Sequence, residues 1–211
     1  TLVNVIITIP GAYALSRKDL VGRNTVMMLI TFTMIFNGGL IPTFLTYKNF
    51  GFVNNPIVMI VTHCHSIWYM ILTRTYLLSI PDALRDSAKI DGANHFRTLF
   101  QIFMPLAKPI IAVLSIYTFV GVWNGWSTAN IYLRDKSLQP LQLFLRRMLQ
   151  KASETLMPGN PKEQAAMAEM RLVAVSLQYA MIIFTTLPVL VVYPFFQKYF
   201  VKGVMVGSVK G

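Results

Sequence analysis

Residues 79–109, SIPDALRDSAKIDGANHFRTLFQIFMPLAKP, are the stretch that decides the fold. This is the one part of the chain that is both amphipathic and rich in charge. The runs on either side, 56–78 and 106–133, are too apolar for anything but burial or a membrane. Residues 79–105, which we call the elbow, must therefore form a loop that lies outside the lipid.

The elbow has the pattern of two short helices joined by a bend. Ser79 is placed to cap the first helix, with Asp82 in its first turn, where a carboxylate suits the helix dipole. Gly92 then ends that helix in a left-handed conformation. Pro105 ends the second helix, because proline is poorly accommodated inside one. The second helix carries an apolar stripe at helical spacing, made of Phe96, Leu99, Phe100 and Phe103.

The bulk composition is that of a membrane protein. Hydrophobic residues make up 55% and charged residues 13% of the chain, against roughly 25% charged in a soluble domain. The formal charge is +11, but Lys and Arg gather between the apolar runs, so we do not expect nucleic-acid binding. The short loops rich in Lys and Arg place the elbow and the C-terminus in the cytoplasm.

The apolar runs predict several membrane spans. The first run would be only about 22 Å long as a helix, so we expect its beginning, and one further helix, to precede residue 1. Residues 134–171 are predicted to form a long outer loop and 198–211 a polar tail. Pro188 and Pro194 should kink the last span. The predicted spans are 1–15, 25–46, 57–78, 106–133 and 172–197.

The elbow also carries a sequence motif. It consists of DSA at 86–88, then three residues, then Gly92, then nine residues, and finally IFMP at 102–105. This resembles the EAA motif of the membrane permeases of binding-protein-dependent ABC importers, which is EAA, three residues, Gly, nine residues and then I-x-L-P. The spacing agrees at every anchor. The sequence departs from the pattern in Asp86, where Glu is usual, Ser87, where Ala is usual, and Met104, where Leu is usual.

Further segments resemble the maltose-type sugar permeases of that family, namely SIP at 79–81, DGA at 91–93, Trp123-Asn124 and GSVKG at 207–211. The run FNGGLIPTFL at 36–45 resembles a subgroup that handles larger and often acidic oligosaccharides, alginate importers among them.

The resemblance implies an all-α fold: a polytopic transmembrane helical bundle of the ABC importer permease type. Residues 1–211 would form a single transmembrane permease domain, part of a bundle of about five to six spans, with a cytoplasmic coupling-helix loop. Such a subunit lies in the bacterial inner membrane and translocates an oligosaccharide, an acidic, alginate-like one being an option. The implied partners are two ATPase subunits, a second permease that is a homologous hetero-partner, an extracytoplasmic sugar-binding protein and membrane lipid.

By the same resemblance, the elbow sits in a groove of the ATPase subunit. Its acidic edge would meet basic residues of that subunit, while Phe96, Phe100 and Phe103 anchor the elbow to its own bundle. The tail 201–211 is similar to a C-terminal segment that reaches between the two ATPase subunits, and the outer loop should touch the binding protein. The expected coupling residues are Asp82, Asp86, Ser87, Ala88, Asp91, Gly92, Ala93 and Pro105.

The second half of the fourth predicted span is rich in aromatic and amide side chains. Such residues suit a sugar path, because flat apolar faces pack on pyranose C–H groups and amides bind hydroxyls. Interfacial aromatics would produce the same pattern, since indole rings prefer the headgroup level. Both interpretations stay open for the candidate path residues Tyr117, Trp123, Asn124, Trp126 and Ser127.

Several chemistries are excluded by the sequence. It has no G-x-x-x-x-G-K-[ST] phosphate loop, no H-E-x-x-H and no G-x-S-x-G, so we predict no enzyme activity, with ATP and Mg bound by partner ATPases and no cofactor on this chain. No metal site is expected, since His63 and His65 would point about 200° apart on a helix. The apolar runs lack Asp and Glu, which disfavours an ion-coupled carrier. The remaining alternative is a membrane scaffold or enzyme subunit that uses the elbow for assembly.

Overall fold

The computed structural model describes residues 1–155 and 164–208 of the chain. Those residues are mostly helical and include no strand, as the all-α prediction requires. A π turn (Leu99–Phe103) follows α7, and a short 3-10 helix (Lys136–Leu138) precedes α11. The α-helices in chain order are α1 (Leu2–Ser16), α2 (Arg23–Ile35), α3 (Leu40–Asn49), α4 (Ile57–His63), α5 (Ile67–Leu78), α6 (Asp82–Ile90), α7 (His95–Thr98), α8 (Met104–Leu106), α9 (Lys108–Trp123), α10 (Trp126–Tyr132), α11 (Leu141–Thr155) and α12 (Gln164–Ser208).

The larger hydrophobic core forms where α1 packs against α5 and α9. The buried side chains of α1 include Ile9, Ala12 and Tyr13, which recur at the i, i+3, i+4 spacing of one helix face. Leu77 of α5 and Leu114 of α9 belong to the same core. Leu99 and Phe103 of the elbow complete it, so the elbow is attached directly to this three-helix contact.

A polar network joins the helices near the start of α1. Asn4 is 2% exposed, and its Nδ2 donates to the His63 carbonyl at 3.1 Å. Its Oδ1 accepts from the hydroxyls of Thr8 at 3.3 Å and Thr118 at 3.5 Å. One amide thus connects α1, the end of α4 and α9. Because unpaired polar groups are unfavourable between apolar helices, this network fixes the three helices relative to one another.

The predicted span 25–46 is not one continuous helix. It is divided into α2 and α3, which meet at an angle of 110°. Gly39 at the break has a φ of +84°, and its N–H donates to the Asn37 side-chain oxygen at 2.9 Å. The positive φ of Gly39 favours glycine, and the asparagine turn before it lets the chain change direction between the end of α2 and the start of α3.

The predicted spans 57–78 and 106–133 are broken as well. α4 ends at His63, and α5 begins after Ser66, whose hydroxyl accepts from the Tyr69 N–H at 3.5 Å as a helix cap. α9 and α10 are separated at Gly125, where a Cβ would lie only 3.2 Å from the Val122 carbonyl oxygen. Only glycine fits this break without displacing the backbone.

Helix length limits which segments can cross a membrane unaided. In the described ranges, Gln178–Gln197 of α12 is the single helix that is long and apolar enough by itself. Up to three segments qualify if each bent helix pair counts as one span, the pairs being Arg23–Ile35 with Leu40–Asn49 and His95–Leu106 with Lys108–Trp123.

The predicted outer loop is helical over much of its described length. α11 occupies Leu141–Thr155 and α12 begins at Gln164, whereas residues 156–163, with the predicted turn at 158–161, lie outside the described residues. α12 runs through Pro188 and Pro194 and continues to Ser208. The predicted polar tail is therefore helical as far as Ser208, and residues 209–211 lie outside the described residues.

One amide fastens the turn after α3 to the end of α10. Asn54 has a φ of +61°, and its side-chain oxygen accepts from the backbone N–H groups of Arg134 at 3.1 Å and Asp135 at 2.9 Å. Its own N–H donates to the Tyr132 carbonyl at 2.8 Å. Asparagine is among the few residues that tolerate this left-handed conformation. The two segments therefore lie together at one end of the bundle.

Replacing Asn4 with alanine should destabilise the bundle. The change removes the shared partner of the Thr8 and Thr118 hydroxyls and of the His63 carbonyl, and we expect a loss of about 1 kcal/mol. Thermal unfolding of the purified protein in detergent would measure it. Asn24→Ala is the matched control, because Asn24 is an exposed asparagine of α2. Equal melting temperatures for the two variants would contradict a stabilising role for the network.

Candidate functional site

The elbow begins with α6, which starts directly after Pro81. Asp82 lies in the first turn of α6, as predicted. The predicted Ser79 cap is wrong, because the Ser79 hydroxyl donates to the Tyr76 carbonyl at 2.7 Å and closes α5 instead. The carbonyls at the end of α5 lack helical partners, and this local bond competes with capping the next helix.

Gly92 ends α6 in a left-handed conformation with a φ of +72°, which confirms the predicted bend. Its N–H donates to the Lys89 carbonyl at 3.1 Å, and the Ala93 N–H donates to the Ala88 carbonyl at 2.9 Å. No heavy atom lies within 4 Å of the position a Cβ would occupy at Gly92. The requirement for glycine therefore comes from the backbone conformation and not from lack of space.

The second half of the elbow is less regular than the sequence indicates. Asn94 caps α7 by accepting from the Arg97 N–H at 2.8 Å, and the chain then passes through the π turn. Phe103 is fully buried, whereas Phe96 is 73% and Phe100 is 56% exposed. The prediction that all three phenylalanines anchor the elbow is wrong for the latter two. A π turn inserts an extra residue into the helical repeat and so changes which side chains share a face.

The predicted coupling residues fall into two groups. Ala88 is 2% exposed and packs inward, and Ala93 is half-buried. All the others are exposed: Asp82, Asp86, Ser87, Asp91, Gly92 and Pro105. The structure thus leaves most of the predicted coupling positions exposed.

Exposed apolar side chains accompany these polar positions. Ile90 of α6 is 86% exposed and Leu84 is 39% exposed, and both lie on the same short elbow as Phe96 and Phe100. The sequence analysis did not single out Leu84 and Ile90. Both are apolar residues outside the predicted apolar stripe of the second helix, and this position could have identified them. Exposed apolar residues clustered on a charged segment are typical of a protein-protein contact surface.

The charge of Asp82 is compensated within the chain. Its carboxylate forms ion pairs with Lys18, from the loop after α1, and with Arg85 at 3.6 Å. The hydrogen bond from Lys18 lowers the pKa of Asp82, so the pair persists at neutral pH and is lost only as acid protonates the carboxylate. The acidic edge left for a partner therefore consists of Asp86 and Asp91.

A cavity of about 370 Å³ lies between the loop after α1 and α6. Charged side chains of both signs lie on its walls. Arg17 and Asp19 form an internal ion pair there, which lowers the pKa of Asp19 to about 2. The lining residues that carry charge are Arg17, Lys18, Asp19, Asp82, Arg85, Asp86 and Lys89.

The two tryptophans of the candidate substrate path pack against neighbouring helices. Trp123 donates from Nε1 to the Thr185 carbonyl of α12 at 3.0 Å and stacks on Phe119. The ring of Trp126 lies 3.4 Å from the Arg146 guanidinium carbon of α11, a cation-π contact. Sequence reasoning did not identify these partners, because they come from segments far along the chain.

The other three path candidates are accessible. Tyr117 is 55% exposed, and Asn124 and Ser127 are exposed at the end of α9 and the start of α10. The five predicted residues therefore fall into two groups: two tryptophans that contact other helices, and three exposed side chains that carry hydrogen-bonding groups.

His63 and His65 do not meet. The His63 Nδ1 lies 3.0 Å from the Met59 carbonyl oxygen and 2.9 Å from the Thr62 hydroxyl, while His65 is exposed. Within the described ranges, no group of three or more His, Cys, Asp or Glu side chains could hold a metal ion.

Residues 1–206 match the family described as binding-protein-dependent transport system inner membrane component. The chain belongs to this family. The fold is also similar to that of a solved structure, a bacterial ABC transporter involved in the import of the acidic polysaccharide alginate. Its matching chain superposes with a TM-score of 0.80 at 32% sequence identity, over 95% of this chain and 70% of that one.

Curated relatives extend the same conclusion. The polygalacturonan/rhamnogalacturonan transport system permease protein YtcP of Bacillus subtilis is 38% identical, over 100% of this chain and 76% of its own length. Protein LplC of the same organism is 35% identical, over 100% of this chain and 70% of its own length. The resemblance to ABC importer permeases that the elbow motif indicated is thus confirmed.

Replacing Gly92 with valine should abolish transport. A β-branched residue is strained by about 1–2 kcal/mol or more at positive φ, so the bend between α6 and α7 would be displaced. ATP-dependent uptake by whole cells would measure the loss. Gly51→Val is the matched control, because Gly51 has the same φ of +72° and also nothing within 4 Å of its Cβ position, but lies in the turn after α3. Normal uptake with Gly92→Val would contradict a coupling role for the bend.

Proposed function

We propose that this permease is the transmembrane subunit of an ATP-driven importer and that the elbow couples it to ATPase subunits. The observation that carries the proposal is the elbow itself: two helical segments bent at a left-handed Gly92, with exposed apolar and acidic side chains at EAA spacing. A subunit without its own phosphate loop needs an external source of energy, and a docked ATPase supplies it. Closure of that ATPase would move α6 and, through it, the bundle.

The proposed assembly contains two ATPase subunits, a second and homologous permease, an extracytoplasmic binding protein and lipid. The family description supports the binding protein. Large apolar side chains exposed on α2, α3 and α12 support contacts with lipid or a second permease, among them Leu29, Ile35, Ile41, Phe184 and Leu190.

The proposed topology places the elbow and the C-terminus in the cytoplasm of a multi-pass bacterial inner-membrane protein. The distribution of Lys and Arg between the short loops supports this orientation. The Asn54 contacts support a common location for the turn after α3 and the residues after α10, which this topology puts on the outer side.

The proposed cargo is an oligosaccharide, and acidic oligosaccharides are the first class to test. The relatives support this choice, since one is named for polygalacturonan and rhamnogalacturonan and the solved transporter imports alginate. In the proposed path, Trp123 and Trp126, each held by a contact from a later helix, supply aromatic faces, while Tyr117, Asn124 and Ser127 present hydrogen-bonding groups to sugar hydroxyls.

Affinity purification of the tagged permease from its native membrane tests the assembly. Mass spectrometry should identify an ATPase, a second permease and a binding protein, and a binding protein loaded with acidic oligosaccharide should stimulate ATP hydrolysis in the reconstituted complex. A purified chain with no ATPase, or with ATP hydrolysis indifferent to its presence, would instead favour a membrane scaffold or enzyme subunit.

Replacing Asn124 with alanine should reduce uptake severalfold while basal ATP hydrolysis stays near the wild-type value. The expected reason is loss of one hydrogen-bonding group from an exposed position in the path. Sugar uptake and ATP hydrolysis are measured on the same reconstituted complex, with Asn24→Ala as the control. Equal losses of uptake and hydrolysis would show that Asn124 acts through packing.

A further inference from the structure

α6 contacts the rest of the chain through very few side chains. Ala88 is its one buried residue, and Arg85 is the one residue of intermediate exposure, with its side chain 18% exposed. Any displacement of α6 by a docked subunit must therefore pass to the bundle through Arg85, Ala88, the Lys18–Asp82 ion pair and the two chain connections.

Arg85 lies against two aromatic rings from different elements. Its guanidinium carbon is 5.1 Å from the ring centroid of Phe103, in the π turn, and 5.9 Å from that of Tyr13, in α1. The two rings are themselves packed edge to face, with centroids 5.1 Å apart. Both distances from the cation fall within the range of a cation-π interaction, which is stronger where water is excluded.

Hydrogen bonding does not account for this placement. Among the described residues, the buried Nε of Arg85 has no hydrogen-bond partner, and the nearest carboxylate oxygen, from Asp82, is 3.6 Å from Nη1. The rings are thus the main contacts of the guanidinium. Phe103 is fully buried and Tyr13 is 4% exposed, so the contact surface belongs to the rigid core.

We propose that Arg85 is a positioning residue that transmits movement of α6 to α1 and to the π turn that precedes α9. The proposal rests on the proposed docking of an ATPase on the elbow. α1 packs against α5 and α9, so a displacement passed to Tyr13 reaches the centre of the bundle, and one passed to Phe103 reaches the start of α9. A planar guanidinium can contact both rings at once, whereas the compact ammonium of lysine cannot.

The test uses the complete reconstituted complex and measures sugar transported per ATP hydrolysed. Arg85→Gln removes the cation, and we expect this ratio to fall about fivefold while the ATPase remains bound. Arg85→Lys keeps the charge facing Asp82 but loses the planar contact, so its ratio should lie between those of wild type and Arg85→Gln. Lys108→Gln is the matched control for loss of one cytoplasmic-side charge, because Lys108 is exposed at the start of α9.

A double variant separates transmission from simple loss of stability. Tyr13→Leu removes one ring, and the combined variant with Arg85→Gln should lose less than the product of the two single losses, because both act through one contact. A wild-type ratio in Arg85→Gln, or a loss explained entirely by release of the ATPase, would overturn the proposal. A wild-type complex that never binds an ATPase would instead overturn the proposed function.

Discussion

The edge-to-face contact between Tyr13 and Phe103 joins the elbow of this permease to its helical core. Tyr13 belongs to a helix that packs inside the bundle, and Phe103 to a segment that lies outside the apolar runs. Their contact attaches a polar elbow to apolar helices, and the largely buried guanidinium of Arg85 lies against the two rings. Because both rings are almost completely buried, the attachment is as rigid as the core that contains it.

Charge pairing around this contact divides the elbow into an inner and an outer face. Asp82 and Arg85 turn toward the loop after α1, where Lys18 completes the set of ion pairs. Asp86, Asp91, Leu84 and Ile90 are exposed, so the outer face of α6 is both apolar and acidic. The division follows from α6 being amphipathic, with one side attached to the core and the other side exposed.

Features that depend on neighbouring residues could be predicted from the sequence, whereas contacts between residues far apart in the chain could not. Gly92 was predicted correctly because a glycine between two helical patterns has one common use. The Lys18–Asp82 pair joins residues far apart in the chain, and the exposure of Phe96 and Phe100 depends on a π turn that no residue type specifies. The same limit applies to the substrate path. Aromatic composition indicated Trp123 and Trp126, but their partners Thr185 and Arg146 come from helices that only folding brings near.

The hydrogen bonds of Asn54 limit how the two segments that they join can move relative to each other. The side-chain oxygen of Asn54 accepts from the backbone N–H groups of Arg134 and Asp135, and its backbone N–H donates to the carbonyl of Tyr132, so the turn leading into α4 is tied to the end of α10. Separating these two segments would break all three hydrogen bonds of Asn54. The two segments should therefore move together as one unit and not as independent loops.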